Sequence, residues 1–456
     1  MLMKRLLLLL FLTLTLSAAA QTTETWSGVL NVQGTRLRLV FHLTQTADGW
    51  LETMDSPDQG AKGIPMEEVT VAPFEVKVSS QQLGMSYHGA RLGQEQLMGV
   101  FRQSGNEFPL LLKRGEAERP KRPQEPQKPY PYREQEVTFA SRDALTLVGT
   151  LTLPEGEGRH PAIVLVTGSG TQNRDEELME HRPFLVLADR LTRAGFVVLR
   201  YDDRGYKATP EEVKRLAYST TDHLTLDALG AFDFLRNHAA VDADRIVVAG
   251  HSEGGTIAVM AAAQEPQVAA VVSLAGMMVR GDALLVKQNV VGLQMRGVPE
   301  AMAEGYGRAL GRLYGRWREL TPEEAIAQKE QLVREAAANE QLPQPLVDNL
   351  QRVAEMAANP WLYRFVGLEP MAAVAKLNGR NLWAANGTKD IQVDAEENLR
   401  LLEAVEQEHI TTRRFEGLNH LFQPCTTGAV EEYGQIETTL SEEVITELIA
   451  WLKATL

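Results

Sequence analysis

Gly250-His251-Ser252-Glu253-Gly254 spells the pattern G-x-S-x-G. A serine hydroxyl attacks a carbonyl carbon only if a base removes its proton as it does so, so the pattern poses the question of where a histidine and a carboxylate stand. Taken alone the pentapeptide is common, and its neighbours make it specific. Ile246 to Ala249 is a short apolar run leading straight in, and Gly254-Gly255-Thr256 opens a helical segment. A strand, a tight turn and a helix in succession force the serine into a strained backbone conformation. They lift its hydroxyl clear and place the next N–H, that of Glu253, where an oxyanion forms.

Of the nine histidines, His420 alone lies in a loop just beyond the last expected strand, in Gly417-Leu418-Asn419-His420. His251 sits inside the turn and should point away from the serine, His409 precedes the last strand, and the others come before the nucleophile. The imidazole needs a carboxylate to orient it and stabilise its cation. Asp390, in the turn after the run Asn381 to Ala385, is the expected partner, whereas Asp394 reads as the N-cap of the following helix. The expected triad is therefore Ser252, His420 and Asp390. A second oxyanion donor should come from Thr167-Gly168-Ser169-Gly170, with Ser169 the first choice and Gly170 the alternative. One missing donor costs roughly 3 to 4 kcal/mol.

The order Gly168-Ser169-Gly170, Asn173-Arg174-Asp175, Pro183-Phe184, Arg200-Tyr201-Asp202-Asp203-Arg204-Gly205, Gly250 to Gly255 and Asn419-His420 resembles a bacterial esterase branch of the α/β-hydrolase superfamily. It is also similar to the prolyl-oligopeptidase and serine-aminopeptidase branches. The resemblance spans about Glu134 to Leu456 and implies the same triad. Met54-Asp55-Ser56-Pro57-Asp58-Gln59-Gly60 resembles an accessory β domain that precedes such hydrolases in some exported bacterial proteins. Two departures stand out. Thr167 occupies a place where many relatives carry His, and Tyr206-Lys207-Ala208 replaces a glycine-rich continuation. Asp202 and Arg204 read as a structural salt bridge rather than as substrate contacts.

The elements that must position these groups follow from hydrophobic period. Ala162 to Val166, Val197 to Leu199, Ile246 to Ala249 and Ala269 to Leu274 are continuous apolar runs separated by helical segments. Strands buried on both faces and alternating with helices predict a mostly parallel sheet in an α/β domain. That domain spans 134–456, interrupted by a helical cap over about 280–370, where Thr321-Pro322-Glu323-Glu324 is a capping box. From Trp26 to Arg114 the period is two: Leu37, Leu39, Phe41 and Leu43 form one alternating set, and Phe74, Val76 and Val78 another. Short alternating strands predict a small antiparallel β-barrel or sandwich over 21–115. Five prolines between 116 and 133 predict an extended, semi-rigid linker.

Lys4-Arg5, the apolar run Leu6 to Leu16 and Ala18-Ala19-Ala20 form a signal peptide over 1–20, with a mature start near Gln21. The apolar run falls short of the roughly 20 residues a bilayer needs. A periplasmic or secreted location is expected, with no membrane insertion after removal of the signal. A net charge of -14 repels phosphate backbones, which argues against nucleic acid as a partner. Cys425, the only cysteine, cannot form an intrachain disulfide. The sequence has no H-E-x-x-H, cysteine cluster or dinucleotide fingerprint, so no metal or cofactor is expected.

The expected partner is a small-molecule ester. A peptidase acting through the same triad is the alternative. A glycan- or peptide-binding β domain is a second one, with Trp26, Trp50 and Tyr87 as contact residues unless they are core. The Glu/Gln/Ala-rich cap helices have the composition of a solvated lid or of a homodimer contact, and the lid is the simpler account.

Overall fold

The computed structural model describes residues 23–32, 35–47, 49–118, 121–405 and 407–456. The expected signal peptide at 1–20, the expected start near Gln21, and Arg119 and Pro120 of the expected linker lie outside the described residues. The chain divides into two compact units, Met1–Arg119 and Pro120–Leu456.

Among the described residues, the first unit is one antiparallel sheet of nine strands. They are β1 (Thr23–Val32), β2 (Thr35–Thr46), β3 (Gly49–Ser56), β4 (Ala61–Pro65), β5 (Glu68–Val71), β6 (Glu75–Ser80), β7 (Met85–Leu92), β8 (Gln96–Gln103) and β9 (Asn106–Arg114). Their order is β4-β3-β2-β1-β9-β8-β7-β6-β5, a meander joined where the first strand meets the last. Phe41 on β2 and Tyr87 on β7 stand four strands apart in that order, yet their ring centroids are 5.5 Å apart. Neighbouring strands lie about 4.8 Å apart, so a flat sheet would separate them by about 19 Å. The sheet is therefore curled around one core, and the two-sheet sandwich alternative is set aside.

Trp26, Leu39, Phe41, Val76, Val78 and Tyr87 fill that core. Trp26 and Tyr87 are fully buried and Trp50 half-buried, so they pack the domain rather than face a ligand. Phe74 departs from the expected alternation: it precedes β6 in the turn and is 82% exposed. Pro57–Gln59 forms a short 3-10 turn that brings Asp58 onto Arg38, Oδ1 to Nη2 at 2.6 Å.

The second unit is the expected α/β-hydrolase fold. Its sheet contains β10 (Arg133–Ala140), β11 (Thr146–Leu153), β12 (His160–Val166), β13 (Val197–Tyr201), β14 (Val241–His251), β15 (Ala270–Leu274), β16 (Asn381–Gly387) and β17 (Ile410–Phe415). The order is β10-β11-β13-β12-β14-β15-β16-β17. From β13 to β17 every pairing is parallel, and β10 and β11 add an antiparallel edge. On β12, Ala162, Val164 and Val166 join one core while Ile163 and Leu165 join another, which is why the strand reads as unbroken apolar sequence.

Helices α1 (Pro183–Arg193), α2 (Pro210–Leu216), α3 (Thr221–Arg236) and α4 (Glu253–Gln264) alternate with the first strands. The cap lies between β15 and β16: α5 (Gly281–Met295), α6 (Glu300–Trp317), α7 (Pro322–Ala327), α8 (Lys329–Ala337), α9 (Gln344–Glu355), α10 (Pro360–Val366) and α11 (Pro370–Val374). Its own core is built on Leu310, Leu313, Trp317 and Leu350. The capping box starts α7, with Thr321 Oγ1 accepting from Glu324 N at 3.2 Å. Helices α12 (Ala395–Glu403), α13 (Val430–Tyr433) and α14 (Glu442–Thr455) complete the unit. From β12 the chain goes to β13 on one side and later to β14 on the other. In open α/β sheets ligands bind at such a reversal, beyond the carboxyl ends of the strands.

Candidate active site

β14 ends at His251 and α4 begins at Glu253, which leaves Ser252 alone to make the turn, at φ 55° and ψ -125°. Non-glycine residues avoid this conformation, and holding one there costs on the order of 1–3 kcal/mol. Ser252 N donates to Leu274 O at 2.8 Å, and Ser252 O accepts from Gly255 N at 3.0 Å. The flanking glycines are sterically required. A Cβ on Gly250 would stand 2.1 Å from Gly254 O, and one on Gly254 would stand 2.1 Å from Val166 O.

Asp390 and His420 are brought together from loops after β16 and β17. His420 Nδ1 lies 2.8 Å from Asp390 Oδ2, both side chains buried. Asp390 Oδ1 accepts from Gln392 N at 2.9 Å and Val393 N at 2.8 Å, which fixes the carboxylate. With Nδ1–H donating to the carboxylate, the lone pair of the ring sits on Nε2, the tautomer a base needs. Asp394 caps α12, accepting from Glu397 N at 2.8 Å, as expected. Gly387 lets the two loops meet, since a Cβ there would lie 2.2 Å from Leu418 O. Among the described residues no hydrogen bond joins Ser252 Oγ to His420, a contact that commonly tightens only with substrate in place.

His251 has a role the sequence did not reveal. Its Nδ1 lies 3.0 Å from Glu176 Oε1 and its Nε2 2.9 Å from the backbone oxygen of His420. The rings of His251 and His420 are 4.8 Å apart. Glu176 Oε1 also accepts from Gly168 N at 2.9 Å. One buried pair thus ties the serine turn, the histidine loop and the loop after β12 together. Burial opposes a charge on His251, but Glu176 outweighs it and holds the pKa above the usual imidazole value.

The Gly168 N–H is spent on Glu176, whereas those of Ser169, Gly170 and Glu253 carry no protein acceptor among the described residues. The carboxylate of Glu253 has a separate task. Its oxygens accept from Ser169 Oγ at 2.7 Å, Thr221 Oγ1 at 2.6 Å and Trp361 Nε1 at 2.9 Å. It joins the loop after β12, the start of α3 and the cap helix α10. Burial raises its pKa, and those donors pull the other way.

Thr167, the departure noted above, donates to Asp203 Oδ1 at 2.6 Å. Asp203 Oδ2 accepts from Gln172 N at 2.8 Å, and burial pushes its pKa up to about 8. Asp202 pairs with Arg174 at 2.6 Å, and Arg204 with Asp227 at 2.6 Å and Asp143 at 3.1 Å, so both are structural. Cys425 is half-buried, its Sγ 3.5 Å from Gly417 O. Among the described residues no three His, Cys, Asp or Glu side chains stand together as metal ligands.

The family described as serine aminopeptidase, S33, matches residues 181–423, a stretch that holds the serine turn, the cap, Asp390 and His420. This chain belongs to that family. The chain is 33% identical over 129 residues to esterase EstD of Thermotoga maritima, covering 28% of this chain and 29% of the relative. It is 32% identical over 136 residues to 2,6-dihydropseudooxynicotine hydrolase of Paenarthrobacter nicotinovorans, covering 29% and 33%. The matched segments thus span a third or less of these curated relatives. Among solved structures it is similar to the acylaminoacyl peptidase of Pyrococcus horikoshii, at 15% identity and a TM-score of 0.46 over 93% of this chain and 62% of that one. With the sheet topology described above, this S33 member is an α/β-hydrolase preceded by a β domain.

Glu176, His251 and Trp361 are the site residues that sequence reasoning missed as structural participants. Glu176 directly follows Asn173-Arg174-Asp175, so that segment was visible, but nothing in its spacing ties it to a turn 75 residues later.

Proposed function

We propose that this protein is an exported serine hydrolase that cleaves carboxylic esters through an acyl-enzyme. His420 Nε2 takes the proton of Ser252 Oγ as the oxygen attacks the ester carbonyl. The N–H groups of Glu253 and Ser169, with Gly170 as the alternative, hold the oxyanion. His420 then protonates the departing alcohol, and water repeats the sequence on the acyl-enzyme. Asp390 holds the ring and stabilises its positive charge.

The observation that carries this reading is the buried His420–Asp390 pair at 2.8 Å, in the loops beside a serine held at φ 55°. The esterase similarity of the matched segment favours an ester. Export rests on the basic, apolar and small-residue pattern of the first 20 positions.

Membership of a family described as aminopeptidases favours a second reading, cleavage of an amide by the same residues. The test is labelling of the full chain with a fluorophosphonate and mapping of the modified residue, followed by turnover of nitrophenyl acetate against aminoacyl and prolyl anilides. Modification at Ser252 and faster ester cleavage are expected. Modification elsewhere refutes the mechanism, and faster cleavage of an anilide moves the assignment to the peptidase.

A further inference from the structure

A cavity of about 570 Å³ opens on Ser169 and Gly170 and runs past α2 to Trp361 of the cap. Small-molecule sites occupy about 300–1,000 Å³, so its size suits a bound group. Its apolar surface comes from Val213, Leu216, Ala217, Leu224 and Trp361. Two ionisable side chains also line it, and neither offers a free charge. Arg204 is held by two carboxylates, Asp227 and Asp143. Asp203 accepts from Thr167 and Gln172, and in its buried place it holds its proton up to about pH 8.

The carboxylate behind this wall, Glu253, is already occupied by Ser169, Thr221 and Trp361. A peptide ammonium needs an unspent carboxylate, and a free acid needs an unspent cation, because an unpaired charge brought out of water costs several kcal/mol. Ser219 Oγ, on the same wall, is buried and has no hydrogen-bond partner among the described residues.

We propose that this cavity receives the uncharged, mainly apolar acyl chain of the substrate, and that Leu216 and Ala217 set the chain length it takes. The assignment rests on the ester-hydrolase reading and names its substrate class. The acyl side is chosen because the acyl group stays on the serine after the alcohol leaves, and a cavity walled by the cap suits the group that stays.

Each methylene moved out of water is worth about 0.8 kcal/mol, about fourfold in kcat/KM, until the space is filled. In the full chain, nitrophenyl octanoate should exceed nitrophenyl acetate at least tenfold in kcat/KM. Ala217→Trp and Leu216→Trp should cut that ratio at least tenfold. Octylboronic acid should inhibit acetate hydrolysis at least tenfold more tightly than ethylboronic acid, a comparison that needs no variant. Equal inhibition by the two boronic acids, or an unchanged ratio in both variants, overturns the assignment. So does a preference for chain length on the alcohol side, read with octyl and ethyl acetates, or for a free over an acetylated amine on an aminoacyl anilide. A fluorophosphonate that leaves Ser252 unmodified instead refutes the ester-hydrolase reading beneath it.

Discussion

Glu253 offers a substitution pair whose two members should behave differently. Glu253→Ala removes the acceptor of Ser169, Thr221 and Trp361 together. Ser169 turns to solvent, but Thr221 is fully buried and Trp361 partly so. Each buried donor left without a partner costs about 1–3 kcal/mol, and removing a carboxylate that burial disfavours returns part of this. The net loss should be about 2–4 kcal/mol. In a unit of about 340 residues, an unfolding entropy near 2.1 cal/mol/K per residue makes 1 kcal/mol worth about 1.4 °C, so its transition should fall by about 3–6 °C.

Glu253→Gln keeps an oxygen for Thr221 and Trp361 and turns its amide to Ser169 Oγ, which can accept. It should stay within about 1 kcal/mol of the parent. The two variants should also part in catalysis. On the proposed mechanism, freed Ser169 no longer holds its N–H on the oxyanion, and with a full donor worth roughly 3 to 4 kcal/mol, a partial displacement should lower kcat about 10- to 100-fold in the alanine variant. KM should change little.

The pH dependence has a defined sign. The folded pKa of Glu253 lies above its ordinary value of 4.5. Its favourable contribution is therefore complete below that value and is lost as pH rises through the folded pKa. The difference in transition temperature between Glu253→Gln and the parent should grow with pH across that range. Calorimetry and steady-state turnover of nitrophenyl acetate measure all three. Equal damage from alanine and glutamine, or none from either, would refute the reasoning.

Three further outcomes follow from the geometry. Ser252→Gly and Ser252→Ala should both lose hydrolysis by several orders of magnitude, but the glycine variant should be more stable by about 1 kcal/mol because only it relieves the positive φ, as a urea titration would read. Gly254→Ala forces a Cβ to 2.1 Å from Val166 O, so it should destabilise the second unit by about 3 kcal/mol or more and lower the yield of folded protein. In the β domain, Glu52 is buried with both oxygens unpartnered among the described residues, and burial pushes its pKa up to about 9. Stability of that domain should therefore fall as pH rises from about 4.5 to about 9, and Glu52→Leu should flatten the dependence, as melting at a series of pH values checks.

The residues of the proposed triad were legible because each obeys a local rule. Glycines at fixed offsets mark the serine turn, and His420 and Asp390 each follow an apolar strand within a few residues. Core strands such as β12 announced themselves because both faces are buried. What escaped depends on contacts distant in sequence. Glu176 reaches His251 from a loop with no hydrophobic period, and Gly387 looks like any glycine until Leu418 packs against it. The curl of the first sheet lies in its twist, which an alternating pattern does not encode, and this left barrel and sandwich open. Phe74 misled for a simpler reason: the alternation was carried one residue past the strand into its turn.

The proline-rich stretch looked like a tether by composition, yet Arg122 clasps the chain beside α13. It donates to Gly434 O at 3.1 Å and Ile436 O at 2.7 Å, while Gln124 receives Thr439 N at 2.7 Å. A protein trimmed to begin at β10, where the sheet topology places the catalytic unit's first edge, would surrender this buckle. The carbonyls that lie just downstream of the His420 loop would then face water, and so this short irregular segment belongs to the hydrolase as much as any of its strands.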